Sequence, residues 1–125
     1  MTALWIGLGG MAGALLRFGL DSLLARRSRP DRPGFPWGTL LVNTAGSLLI
    51  GFAVGLLGTA ALSEAGYQAA ATGFAGGLTT FSSWTVATLA LWTDGRRRAA
   101  AANVLLNLFL GCLAAAAGLL AGLSV

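Results

Sequence analysis

Gly73-Phe74-Ala75-Gly76-Gly77-Leu78-Thr79-Thr80-Phe81-Ser82-Ser83-Trp84 sits in the middle of an apolar run of membrane-spanning length. Adjacent glycines followed by four hydroxyl side chains are out of place in a helix surrounded by lipid. Two readings of the stretch stay open. It is a helix interrupted near the bilayer midplane, or a continuous helix whose Gly-Gly pair permits close packing. An interruption is tolerated only where the freed backbone faces protein or a water-filled cavity. At the midplane, such freed carbonyls and amides commonly form ion sites.

Working outward, four apolar segments span about residues 3–24, 37–62, 67–92 and 99–123. Each is close to the ~20 residues that cross a hydrocarbon core. In lipid every backbone polar group must pair within its own segment, so these are expected to be helices. They are too long for strands and lack strict two-residue alternation. Trp5, Trp37 and Trp92 fall near their ends, where indole rings favour the membrane interface. Glycine pairs four apart (Gly9/Gly13, Gly51/Gly55, Gly73/Gly77 and Gly118/Gly122) suit close helix–helix contact in lipid. The expected fold is a single all-α domain over residues 1–125, with four transmembrane helices and a break in the third.

Composition supports a membrane solvent. Of the 125 residues, 56% are hydrophobic and 10% charged, where a soluble domain carries about a quarter charged. The net charge of +4 does not point to nucleic acid. All eight basic residues are arginine, and seven lie in two short clusters between apolar runs, as in membrane-flanking loops. One cysteine, Cys112, excludes an internal disulfide framework and reads as a small packing residue. No basic n-region precedes the first apolar run, so it reads as a retained helix and not a signal peptide.

The polar residues inside the apolar runs are few, and such residues are functional candidates by default. Among them are Arg17; Asn43 and Ser47; Thr79, Thr80, Ser82, Ser83, Thr85 and Thr88; and Asn103 and Asn107. Spacing of four puts Asn43 and Ser47 on one face, and likewise Asn103 and Asn107. Phe81, Trp84, Thr85 and Thr88 form a further stripe at helical spacing. Plain interhelical hydrogen bonding, worth ~0.6 kcal/mol apiece, is the alternative reading for each. A buried asparagine amide is harder to satisfy than a hydroxyl, which favours a role for Asn43.

The missing residue types narrow the function further. Asp21 lies near the end of the first run, while Asp31, Glu64 and Asp94 lie between runs, and there is no histidine. A proton-coupled pump or exchanger needs an embedded ionisable relay, and a small four-helix drug exporter would need an embedded glutamate. Amide N–H groups, hydroxyls, one arginine and the positive edges of phenyl rings instead suit a passive path for a small anion. No nucleophile–base pair is present, so an enzyme is not expected. Gly76-Gly77-Leu78-Thr79-Thr80 is no phosphate loop, since it lacks a lysine and a preceding strand.

Trp37-Gly-Thr-Leu-Leu-Val-Asn43-Thr-Ala-Gly46-Ser47-Leu-Leu-Ile-Gly51 resembles the second-helix signature of the Fluc/CrcB fluoride channel family. Gly73 to Ser82 resembles that family's broken third helix, and Gly9-Gly10-Met-Ala-Gly13-Ala-Leu-Leu-Arg17-Phe18 its first-helix pattern. The resemblance covers essentially the whole chain. It implies an antiparallel dimer with two narrow pores in the bacterial inner membrane, exporting fluoride passively and so conferring fluoride resistance. By that resemblance Asn43 would hydrogen-bond fluoride, and Phe81 would be one of a ring pair facing the ion. Thr80, Ser82, Ser83 and Asn107 would line a polar track, and Arg17 would stand at the vestibule. The main-chain carbonyls of Gly76 and Thr79 from both subunits would hold a structural sodium ion. The sequence departs from the family pattern at Trp84, where a second phenylalanine is usual, and at Asn103 and Asn107, where tyrosine or serine is often seen.

Charge placement adds an expectation of its own. Arg26, Arg27, Arg29 and Arg32 follow the first run, and Arg96, Arg97 and Arg98 follow the third, so seven arginines share one side of a four-helix chain. The positive-inside rule puts that side in the cytoplasm, with both termini outside. A chain with one fixed orientation needs an oppositely inserted, paralogous partner to build an antiparallel pair. Two arrangements are therefore expected as alternatives, a homodimer and a heterodimer in which this chain is a poorly conducting partner subunit.

Overall fold

The computed structural model describes residues 2–25 and 34–125. The elements are α1 (Thr2–Ala25), α2 (Trp37–Gly58), α3 (Glu64–Tyr67), a π-helical stretch (Gln68–Ala75), α4 (Gly76–Leu78), α5 (Phe81–Thr93) and α6 (Arg97–Leu123). No strand occurs among the described residues. Three of these helices, α1, α2 and α6, are long and apolar enough to cross a membrane. The segment expected as the remaining span is built from shorter pieces. The arginine- and proline-rich first loop, residues 26–33, lies outside the described residues.

Several boundaries differ from the sequence reading for local reasons. α2 ends at Gly58, not at 62, because Ala60 takes a left-handed φ of 59° that a helix cannot continue. The link expected at 63–66 is instead the start of the next helix. Ser63 caps it by accepting the Gly66 N–H at 3.2 Å, and Glu64 lies at its positive end. The turn before α6 is shorter than expected. Gly95, with a φ of +76°, makes the turn, and α6 begins at Arg97, so Arg97 and Arg98 belong to its first helical turn. The Arg97 guanidinium lies 5.2 Å from the centre of the Trp92 ring, a cation–π contact at the end of the neighbouring helix.

Small residues set the packing. α2 and α6 form the most extensive helix pair. A Cβ at Gly55 would lie 2.6 Å from the Leu119 carbonyl oxygen, and one at Gly51 would strike the Ala115 carbonyl. α1 packs on the π-helical stretch and α4 in the same way. A Cβ at Gly9 would lie 2.7 Å from the Ala69 carbonyl oxygen, and one at Gly73 2.7 Å from that of Ile6. Backbones at this separation exclude any side chain between them, as expected of small-residue helix contacts in lipid.

Burial is inverted relative to a soluble domain. The buried apolar side chains are mostly small (Ala53, Ala71, Ala75, Ala100, with Leu40, Val42, Leu78 and Leu91). Large ones such as Leu15, Phe18 and Leu105 point outward. Cys112, expected to fill a packing gap, is exposed as well. The buried polar residues are Thr39, Thr80, Asn103 and Asn107. An apolar exterior over a polar seam is the arrangement that lipid as solvent selects.

Candidate functional site

The helical run from Glu64 ends where Thr79 and Thr80 turn extended, with φ/ψ of −77°/157° and −149°/120°. Thr79 N–H still bonds the Ala75 carbonyl at 3.0 Å, but Thr80 N–H has no helical acceptor left. Asn43, projecting from α2, supplies one. Its Oδ1 accepts Thr80 N–H at 2.8 Å, and its Nδ2 donates to the Thr80 carbonyl at 3.2 Å. The Asn43 amide therefore satisfies both backbone groups of one residue, as a neighbouring strand would. Thr80 then starts α5, its Oγ1 accepting the Ser83 N–H at 3.1 Å. The Ser82 and Ser83 hydroxyls close around the same oxygen at 3.2 and 3.1 Å.

From Asn43 the polar contacts continue through the seam between α5 and α6. Asn43 Nδ2 also donates to Asn107 Oδ1 at 3.1 Å. Asn107 Nδ2 donates to Asn103 Oδ1 at 3.0 Å and to the Asn103 carbonyl at 2.9 Å. Asn103 Nδ2 donates to Thr88 Oγ1 at 2.8 Å, and Thr88 Oγ1 donates to the Trp84 carbonyl at 2.7 Å. The direction of this relay is fixed at both ends. Thr80 N–H can only donate and the Trp84 carbonyl can only accept, so the three amides between them line up head to tail. Asn103 has no exposed surface at all.

The aromatic pair lies at the start of α5. The Phe81 and Trp84 rings are 5.3 Å apart at 74°, edge to face. Phe81 is 72% exposed, whereas the Trp84 indole N–H is held by the Asn103 carbonyl at 3.2 Å. A cavity of about 300 Å³ opens beside the break, lined by Asn43, Ser47, Ile50, Thr79, Thr80, Phe81, Trp84, Asn107 and Leu108. Its lining holds hydroxyls, amides and ring edges, and no carboxylate.

The expected site residues divide into two groups. Asn43, Thr80, Phe81, Trp84 and Asn107 meet at this cavity, and Ser82 and Ser83 adjoin it through Thr80. Arg17 does not line it. Its Nε reaches the Gly77 carbonyl at 3.4 Å, at the negative end of the run that stops before the break. Gly76 and Thr79 lie on that same end. With Thr80 N–H turned to Asn43, the Gly76 carbonyl receives only a long 3.5 Å contact from Thr79 Oγ1.

The expected stripe along α5 splits. Phe81 and Trp84 meet at the cavity, Thr88 turns to α6, and Thr85 stays exposed with its hydroxyl on the Ser82 carbonyl. Asn103, Ser47 and Thr88 were legible as polar residues but not as members of the constellation. The spacing of four from Asn107 and from Asn43 was the signal for the first two.

Residues 4–119 match the family model described as CrcB-like protein, Camphor Resistance (CrcB). Among curated relatives, the fluoride-specific ion channel FluC of Renibacterium salmoninarum is 48% identical over 122 residues, covering 95% of this chain and 97% of that protein. The fluoride-specific ion channel FluC 2 of Mycolicibacterium paratuberculosis is 44% identical over 119 residues, covering 94% and 92%. The fluoride-specific ion channel FluC of Salinibacter ruber is 45% identical over 118 residues, covering 94% and 86%.

Proposed function

The chain belongs to the CrcB-like protein family, and from that premise we propose that it is a fluoride-selective passive channel subunit. It is a multi-pass membrane protein, of the bacterial inner membrane where its relatives are bacterial, and not an enzyme. The observation that carries the reading is the cavity at the Thr79–Thr80 break, where hydroxyls, amides and aromatic edges converge with no carboxylate. Such a lining favours an anion over a cation. A group that stays neutral needs no proton to operate, so transport runs down the ion's own gradient, which in a fluoride-loaded cell is outward.

The finer architecture is part of the proposal. The interrupted segment makes a fourth span, and two copies assemble antiparallel with one pore each. Asn43, Thr80, Phe81, Trp84, Ser82, Ser83 and Asn107 line the path, and Arg17 stands nearby as a fixed cation. The Gly76 and Thr79 carbonyls fit a structural sodium ion in donor chemistry, because both lie at the end of a helix where carbonyls lose their intrahelical donors. Two oxygens are too few for one cation, and a second copy would double them. A heterodimer with an oppositely inserted paralogue is the second reading, favoured by the seven arginines gathered on one side.

Fluoride efflux from liposomes holding only this protein, with chloride as control, tests the reading. Rapid fluoride release with chloride retained is expected, and Phe81→Ala should abolish it while the protein still elutes as folded. Chloride release at the same rate would reject fluoride selectivity. Silence alone but release beside a paralogue would choose the heterodimer.

A further inference from the structure

The side chains around the cavity are not equally available to an ion. Asn43, Ser47, Thr79, Thr80, Trp84 and Asn107 bring polar atoms to its wall. Asn43 Nδ2 has two hydrogens, one on the Thr80 carbonyl and one on Asn107 Oδ1. Both hydrogens of Asn107 Nδ2 go to Asn103. The Trp84 N–H is on the Asn103 carbonyl, the Thr80 hydroxyl is on Ser83 Oγ, and the Thr79 hydroxyl leans on the Gly76 carbonyl. Of these six, Ser47 alone has no hydrogen-bond partner among the described residues.

Its position explains why nothing covers it. Ser47 lies one turn after Asn43 on α2 and is half-buried, so its hydroxyl is open to the cavity. Across from it α6 carries Gly111, where even a Cβ would come within 3.5 Å of Ser47 Oγ. A larger residue there would close over the hydroxyl. An ion that took a hydrogen from Asn43 would leave a carbonyl without that donor, and one that took a hydrogen from Asn107 would break a bond to Asn103, whereas one that took the Ser47 hydrogen would break none.

We propose that Ser47 is a further hydrogen-bond donor to the dehydrated anion in this cavity, the one that gives its hydrogen without breaking a bond of the fold. The assignment rests on the fluoride-channel reading and adds a binding residue to it. The bond is of the charge-assisted kind, O–H donating to a small anion, which is stronger than a neutral pair.

Ser47→Ala and Ser47→Thr, measured in the same liposome efflux assay, test the proposal. Loss of one hydrogen bond to a charged group should slow fluoride release by about tenfold or more in Ser47→Ala. Elution and thermal midpoint should stay at wild-type values, because the hydroxyl bonds nothing in the fold. Ser47→Thr keeps the hydroxyl and should recover release to within about threefold of wild type. Wild-type release by Ser47→Ala would overturn the assignment. Release lost equally in both variants, or Ser47→Ala no longer folding, would make the position a packing site and overturn it too. A wild-type protein that passes no fluoride, alone or beside a paralogue, is a different result, and it removes the channel reading and this one together.

Discussion

The α2–α6 pair and the interrupted segment from Glu64 to Thr93 are both rich in small residues and use them in opposite ways. In the pair, Gly51, Gly55, Gly118 and Gly122 bring two regular helices into backbone contact, and neither helix is interrupted. In the interrupted segment, Gly73 makes the same close approach to α1, but Gly76-Gly77 precedes a stop in the hydrogen-bond ladder. The freed N–H of Thr80 then depends on a side chain 37 residues away. A regular helix in lipid satisfies itself, whereas an interrupted one has to be satisfied by its neighbours. The second arrangement is less self-sufficient, and for that reason it can present polar groups to a cavity.

The comparison can be broken hardest at the regular pair. Gly51→Leu should prevent folding, at or beyond the upper end of the roughly 1–3 kcal/mol of overpacking, because it drives a side chain into the Ala115 carbonyl. Recovery of folded protein on size exclusion is the measurement. Asn43→Ala should be milder for the fold and severe for function. It leaves both Thr80 backbone groups without partners, at about 1–3 kcal/mol. A lowered thermal midpoint together with lost fluoride efflux is expected. An unchanged midpoint would show that the break needs no pin from α2.

Trp84→Phe keeps an aromatic ring beside Phe81 and removes the indole bond to the Asn103 carbonyl. A loss of about 1 kcal/mol in stability with efflux maintained is expected. A collapse of efflux would mean that the indole N–H, and not the ring, serves the pore. The smallest effect belongs to Gly19→Ala. A Cβ there meets nothing within 4 Å, so the change should be neutral or stabilising by up to about 1 kcal/mol through helix propensity. Thermal unfolding beside Gly51→Leu would show that glycine matters here by position and not by number.

Much of this was legible beforehand because it is local along the chain. Hydropathy marked the four segments, the Gly-Gly-Leu-Thr-Thr stretch marked where a helix is apt to stop, and the spacing of four paired Asn43 with Ser47 and Asn103 with Asn107. The π-helical turns at Gln68–Ala75 left no trace in composition. Nor did the end of α2 at Gly58, which hangs on the backbone angle of one alanine. Arg17, legible as a cation within an apolar run, gave no hint that it would meet the Gly77 carbonyl at the helix end and stand off the cavity.

The sequence by itself determined that this chain lives in lipid, that it is helical, and that, Asp21 near the end of the first run aside, its embedded polar groups are neutral save for one arginine. Those properties depend on residue type and short-range spacing. Only the tertiary structure decided which of the polar groups are already bonded and which one is open, because the partners lie 37 and 64 residues apart and meet only when α2, α5 and α6 pack. Hydrogen bonds saturate, and a donor's availability to an ion is settled by the neighbour that reaches it first.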